Sequence, residues 1–159
     1  MATVLLAYPE NCIGCERCEY ACSFEHEGVF SPSLSRIKVA RNESREFFSP
    51  SFCTQCENAP CVKACPTDAL VKNRKTGVVE WYKDKCIFCD VCIPACPFGA
   101  ITFVNGEAIK CDLCNGDPEC VKICPADCLR FIDERDAGKD KRESILHKNL
   151  KRLREKGGK

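Results

Sequence analysis

Histidine is nearly absent from this chain: His26 and His147 are the only two. Neither is assigned to catalysis; both are read as surface or supporting groups. No Gly-rich loop follows a strand, so flavin or nicotinamide binding is left to a partner. No stretch approaches the roughly 18 apolar residues of a membrane span. Neither sign of charge prevails, with 24 Lys and Arg against 23 Asp and Glu and a formal charge of +1, so a nucleic-acid reading gains little. The opening residues Met1 to Glu10 carry no basic segment, no twin arginine and too short an apolar run for a secretory leader. These absences together predict a cytoplasmic chain without a membrane span. The one tryptophan, Trp81, is read as core or interface, not as an electron relay.

Cysteine, by contrast, is abundant, at 17 of 159 residues. That is the level of a disulfide or metal scaffold. In a reducing compartment thiols stay free, and an odd count fits a complete disulfide framework poorly. A metal scaffold also needs less apolar core, because ligation supplies folding energy.

The most regular stretch is Cys86-Ile-Phe-Cys89-Asp-Val-Cys92-Ile-Pro-Ala-Cys96-Pro97. Its C-x2-C-x2-C-x3-C-P pattern is the bacterial ferredoxin run for [4Fe–4S] clusters, in which the fourth Cys ligates the other cluster of a pair. Three looser copies accompany it: Cys12, Cys15, Cys18, Cys22; Cys53, Cys56, Cys61, Cys65; and Cys111, Cys114, Cys120, Cys124. Structural zinc takes C-x2-C pairs a dozen or more residues apart, and plant-type [2Fe–2S] centres need a C-x4-C-x2-C order. The plant-type order is absent, and the close third and fourth Cys of every group, followed by Pro in three of them, suit cubane sharing better than zinc; a zinc-stapled interaction module remains the minor alternative. Four clusters would add about −8 of charge, bringing the loaded chain near −7.

A hexapeptide recurs three times, as Cys65-Pro-Thr-Asp-Ala-Leu70, Cys96-Pro-Phe-Gly-Ala-Ile101 and Cys124-Pro-Ala-Asp-Cys-Leu129. Each copy reads as helix end, turn and return strand. Cys128, the seventeenth cysteine, stands where the other copies have Ala69 and Ala100, and is read as a small buried thiol and not a ligand. After Cys22 the residue is Ser23 and not Pro, so the helix read from Glu16 to Phe24 can run on.

Strands are predicted at Thr3 to Tyr8, Arg36 to Arg41, Val78 to Tyr82, Ala100 to Val104 and Glu107 to Ile109, with Arg130 to Ile132 closing the last one. Asn105-Gly106 is a type I′ turn signal and Lys75-Thr-Gly77 a second hairpin turn. Phe47, Phe48 and Phe52 are expected in the core beside a cluster. Ala137 to Arg142 reads as a solvated linker. Glu143 to Lys156 reads as a helix with Leu146, Leu150 and Leu153 on one face, a candidate for packing on the chain or docking a partner, and Gly157 to Lys159 as a loose end.

The fold expected is α+β: two pseudo-symmetric ferredoxin-like units of two clusters each, with short strands and helices and a C-terminal helix. Residues 1–132 would form the four-cluster domain. Unit A would combine 1–30 with 107–132, unit B would span 50–106, and 133–159 would be linker and helix. Because the inner groups are contiguous, the second is paired with the third and the first with the fourth. Cluster 1 would then take Cys12, Cys15, Cys18 and Cys124; cluster 2 Cys111, Cys114, Cys120 and Cys22; cluster 3 Cys53, Cys56, Cys61 and Cys96; and cluster 4 Cys86, Cys89, Cys92 and Cys65.

With its x2-x2-x3, x2-x4-x3, x2-x2-x3 and x2-x5-x3 spacings, the chain resembles the four-cluster iron–sulfur subunits of the dimethyl sulfoxide reductase family over about residues 3 to 132. It looks most like small partners of tungsten aldehyde oxidoreductase or benzoyl-CoA-reductase-type enzymes. The resemblance implies the nested pairing and a role relaying electrons between a large catalytic subunit, bearing tungsten or molybdenum, and a second carrier such as a flavin- or NAD-binding subunit or a ferredoxin. It differs from larger members in its short x5 gap, and no C-terminal membrane-anchor region is expected in it. The alternative is a free-standing polyferredoxin serving hydrogenase or carbon monoxide dehydrogenase. Clusters near both ends would also permit end-to-end self-association.

Overall fold

A computed structural model describes residues 3–42, 44 and 47–156, with the side chains of the last helix described as far as residue 146. The Leu150 and Leu153 face, His147 and the loose end at 157–159 lie outside the described side chains or residues.

Eight short strands pair into four antiparallel two-stranded sheets. β1 (Thr3–Ala7) pairs with β8 (Leu129–Asp133), so the first and last strands close on each other. β2 (Ile37–Asn42) pairs with β3 (Phe47–Phe52), β4 (Leu70–Lys72) with β5 (Val79–Trp81), and β6 (Ile101–Val104) with β7 (Glu107–Lys110). The β6–β7 connection is the two-residue turn expected at Asn105-Gly106, with φ of 52° and 75° at the two positions. That hairpin runs across the 106/107 boundary drawn between the two units.

Each cysteine group supplies one helix: α1 (Arg17–Glu27), α2 (Pro60–Ala64), α3 (Cys92–Ala95) and α4 (Glu119–Lys122). The proline after the fourth Cys sets their lengths. A residue before proline is pushed out of the helical region, and Cys65 and Cys96 accordingly have ψ of 116° and 114°. Ser23 imposes no such stop, so α1 runs three residues past the expected Phe24 and ends at Gly28, whose φ of 68° closes it. α1 packs on α4, and α2 packs on α3.

Two apolar cores follow from this packing. One joins Leu5, Ile37, Val39, Phe52 and Leu129 to Cys18, Cys22, Cys53, Cys111 and Cys120. The other joins Ala59, Leu70, Val79 and Ile101 to Cys61 and Cys92.

Two expectations are corrected. Ala137 to Arg142 is not a linker: α5 begins at Ala137 and continues to Lys156. Asp133 accepts the Arg135 N–H and starts a 3-10 turn that runs into the helix, and Asp140 then anchors it through the Tyr8 hydroxyl and an Arg130 ion pair at 2.7 Å. The three phenylalanines are not all core either. They lie on β3, where successive side chains alternate between faces. Phe52 is 6% exposed while Phe47 is 49% exposed. On α5, Leu146 is exposed.

Candidate iron–sulfur ligand sites

The four C-x-x-C loops share one backbone feature that no spacing rule announces. The residue before the second cysteine has a positive φ in every loop: Gly14 at 67°, Gln55 at 52°, Phe88 at 53° and Leu113 at 63°. Left-handed residues set among right-handed ones turn successive N–H groups toward one side and form an anion-binding concavity. Gly14 is also required for space, because a Cβ there would lie 2.6 Å from the Phe48 ring.

The recurring hexapeptide has a common geometry as well. Its fourth residue is left-handed in each copy, with φ of 52° at Asp68, 58° at Gly99 and 47° at Asp127. The fifth residue then donates its N–H back to the leading cysteine. Ala69 donates to Cys65 Sγ, Ala100 to Cys96 Sγ and Cys128 to Cys124 Sγ, each at 3.3 Å. Cys22 lacks the repeat and receives an N–H from the distant Arg36, also at 3.3 Å. Every fourth cysteine thus carries a backbone N–H bond of the kind that stabilises a thiolate. Cys128 contributes its main chain, and its thiol is buried at 2% exposed. This is a role that sequence reading missed, although the repeat aligns Cys128 with two alanines.

The thiols are brought together in sets. Cys12, Cys15, Cys18 and Cys124 line one cavity together with Cys128, closed by Val39, Pro50 and Leu129. Burial, then Glu19 and the neighbouring Cys12 and Cys15, pushes the Cys18 thiol up to about 12. Burial pushes Cys120 up, followed by repulsion from Cys111, Cys22, Cys114 and Cys18. Cys61 rises through burial and then Cys53 and Cys96. Cys92 rises to about 11 through burial, with Cys61, Cys65 and Cys86 adding repulsion. Burial takes Cys111 up to about 12, with Cys53 among its neighbours. All seventeen cysteines are free. Buried sulfurs that repel one another as thiolates are a donor set for a cationic core, and coordination to one deprotonates them outright. The residues present therefore fit cubane ligation.

Around Cys22 the balance differs. Burial alone would raise its thiol, but hydrogen bonds from His26 and the Arg36 N–H outweigh it and leave the thiol below its ordinary value. His26 contacts Asp112 at 3.0 Å, and that hydrogen bond, with Cys114 and Cys22 behind it, lifts the imidazole to about 12. Burial would raise Asp112, but His26 and the Cys114 N–H bring its carboxyl down to about 2.

Gln55 connects the second cysteine loop to the fourth and to β5. Its Nε2 donates to the Cys111 carbonyl at 2.7 Å and its Oε1 accepts the Val79 N–H at 2.8 Å. The buried Lys110 ammonium donates to the same Cys111 carbonyl. Only two of the seventeen thiols, Cys15 and Cys89, belong to exposed residues.

Short strands and helices, four cysteine loops of one geometry and thiols gathered in sets define a protein of the iron–sulfur class. The chain belongs to the 4Fe-4S dicluster domain family, which matches residues 44–134 and, in a second form, 11–70. Two dicluster domains imply four [4Fe–4S] clusters, the number that sixteen thiolates can hold.

Among its relatives is the aliphatic sulfonate oxidoreductase polyferredoxin-like subunit of Pyrococcus furiosus, 45% identical over 76% of this chain and 70% of its own length. The putative electron transport protein YsaA of Escherichia coli is 37% identical over 84% of this chain and 91% of its own length. Formate hydrogenlyase subunit 2 of Escherichia coli is 33% identical over 90% of this chain and 89% of its own length. A solved chain of the benzoyl coenzyme A reductase active-site complex BamBC is 26% identical, covering 91% of this chain and 89% of that one, with a TM-score of 0.48. No helix among the described residues is long and apolar enough to cross a membrane.

Proposed function

We propose that this chain is the electron-transfer subunit of an oxidoreductase, built as two nested ferredoxin-like units around four clusters. Cluster 1 is held by Cys12, Cys15, Cys18 and Cys124, cluster 2 by Cys111, Cys114, Cys120 and Cys22, cluster 3 by Cys53, Cys56, Cys61 and Cys96, and cluster 4 by Cys86, Cys89, Cys92 and Cys65. The observation that carries this reading is the helix pairing, α1 on α4 and α2 on α3, together with a cavity that gathers Cys12, Cys15, Cys18 and Cys124, with Cys128 beside them.

The neighbours across sets support a linear order. Cys18 lies near enough to Cys120, Cys53 to Cys111 and Cys61 to Cys92 for their thiolates to repel. Clusters 1, 2, 3 and 4 then follow one another, and the two exposed cysteines, Cys15 and Cys89, mark the two ends. When bound, each [4Fe–4S] cluster supplies one-electron storage. The chain's own residues hold and orient the thiolates through the N–H bonds from Arg36, Ala69, Ala100 and Cys128, and the two apolar cores exclude water from the middle of the row. Apolar side chains surround the end at Cys89: Ile87, Phe88 and Val91 are all exposed. Ile13 does the same beside Cys15.

The polyferredoxin-like and formate hydrogenlyase relatives are named as subunits of larger systems. On that basis one end of this chain meets a large catalytic subunit, with tungsten or molybdenum as the metal its resemblance implies, and the other end a second carrier, in the cytoplasm.

Anaerobic purification from the native cell tests this. The expected result is a catalytic subunit carrying tungsten or molybdenum bound to a chain with about sixteen iron and sixteen sulfide. Zinc without sulfide would sink the electron-transfer reading. A fully loaded chain that purifies alone at every concentration would make it a free-standing polyferredoxin.

A further inference from the structure

His26 lies between two thiols assigned to the same cluster. It follows Cys22 by one turn of α1, and 86 residues of chain separate it from Asp112. Its Nδ1 is 2.8 Å from the Cys22 carbonyl oxygen and 3.9 Å from Cys22 Sγ. Its Nε2 is 3.0 Å from Asp112 Oδ1 and 4.0 Å from Cys114 Sγ. A carbonyl and a carboxylate oxygen accept hydrogen bonds and cannot donate them. Both ring nitrogens therefore hold a proton, and the ring is a cation.

The position is tightly held. The His26 side chain is 11% exposed. Asp112 is itself fixed, because its Oδ1 also accepts the Cys114 N–H at 3.0 Å. The same ring nitrogen, carboxylate oxygen and Cys114 sulfur lie within 4.8 Å of one another. Among the described residues, no other basic side chain comes within hydrogen-bonding reach of a sulfur in the four groups. Cys65, Cys96 and Cys124 instead receive main-chain N–H bonds, and Cys56 and Cys65 contact the hydroxyls of Thr54 and Thr67.

We propose that His26, held by Asp112, is a fixed positive charge that raises the reduction potential of the cluster bound by Cys22, Cys111, Cys114 and Cys120. Reduction adds a negative charge to that cluster, and a half-buried cation against two of its ligands stabilises the added charge. Asp112, whose carboxylate oxygen lies within 4.8 Å of both the His26 ring nitrogen and Cys114 Sγ, offsets part of the effect. The consequence is one interior site of the row that holds an electron more readily than it would from its thiolates alone. His26 acts through the ligands and takes no part in ligation. The inference rests on the cluster assignment proposed above.

The test is an anaerobic redox titration of the fully loaded chain, read by EPR, for the native protein and two variants. His26→Gln keeps an N–H donor and removes the positive charge. Asp112→Asn keeps an acceptor for the ring and for the Cys114 N–H and removes the negative charge. At unchanged iron content, one of the four midpoint potentials should move negative in the first variant and positive in the second, while the other three stay in place. A purely structural role would not give opposite signs. No movement, or movement of both variants in one direction, overturns the proposal. If His26→Gln loses iron, His26→Asn, which also keeps an N–H donor without the charge, is read in its place, and a potential that stays put or moves positive there overturns the proposal. A native chain with fewer than four clusters would instead remove the assignment beneath the proposal, and that is seen before any variant is made.

Discussion

The main-chain N–H of Cys128 donates to Cys124 Sγ at 3.3 Å, while the Cys128 thiol is buried away from solvent. Two cysteines four residues apart thus differ in what they offer: one its sulfur, the other its backbone. Cys128→Ala keeps the donor and restores the residue of the other two repeats. We expect full iron content and a stability loss of about 1 kcal/mol or less from the lost sulfur packing. Cys124→Ala should lose about four of the sixteen iron atoms. Iron analysis of both variants checks the contrast, and a shortfall in the Cys128 variant would reassign its thiol as a ligand.

Gln55 joins the second cysteine loop to Cys111 and to β5. Gln55→Ala leaves the Val79 N–H and one bond to the Cys111 carbonyl unmade, at a cost of about 1–3 kcal/mol. The Lys110 ammonium still reaches that carbonyl. Thermal unfolding under anaerobic conditions should show a lowered midpoint with iron content unchanged at room temperature.

The exposed positions of Cys15 and Cys89 set an order of chemical loss. Mild oxidation with a chelator present should strip the two end clusters first and leave the interior pair. Native mass spectrometry would follow the loss as steps of one cluster. Random loss across all four would contradict the linear order.

Asp140 anchors α5 through the Tyr8 hydroxyl and Arg130. The Tyr8 bond, offset somewhat by burial, and then Arg130 hold the Asp140 carboxyl below its usual value. A lowered folded-state value means the contribution is fully present above the ordinary carboxylate range and is lost as pH falls through the lowered value. Tyr8 is raised to about 12, first by burial and then by Asp140, so its contribution is present below its ordinary value of 10 and lost as pH rises through the raised one. Protection of the first turns of α5 against hydrogen exchange should therefore be flat between about pH 5 and pH 9 and fall on either side. Asp140→Asn should weaken it throughout by about 1–2 kcal/mol.

Much of the site was legible in the chain. The spacing of the four groups sets which thiols share a loop. Pro66, Pro97 and Pro125 set where three helices stop, and the absence of a proline after Cys22 explains the length of α1. Asn105-Gly106 gave the turn expected of it because both positions need a positive φ that these residues tolerate. The start of α5 was misread because the charged residues from Lys139 to Arg142 look solvated, whereas Asp140 is tied to Tyr8 from the other end of the chain. Phe47 was misread because a cluster of aromatics says nothing of the alternation a strand imposes.

The chemistry of this protein is thus written locally, since a thiolate's capacity to bind iron and a loop's turn depend on neighbours a few residues away. Which loops meet depends on long-range packing. The closure of β1 on β8, the pairing of α1 with α4, the Arg36 N–H that reaches Cys22 and the seating of His26 against Asp112 all join segments far apart in sequence. Those contacts form only when the apolar faces of separate segments are buried together, and no short window of residues contains the partner.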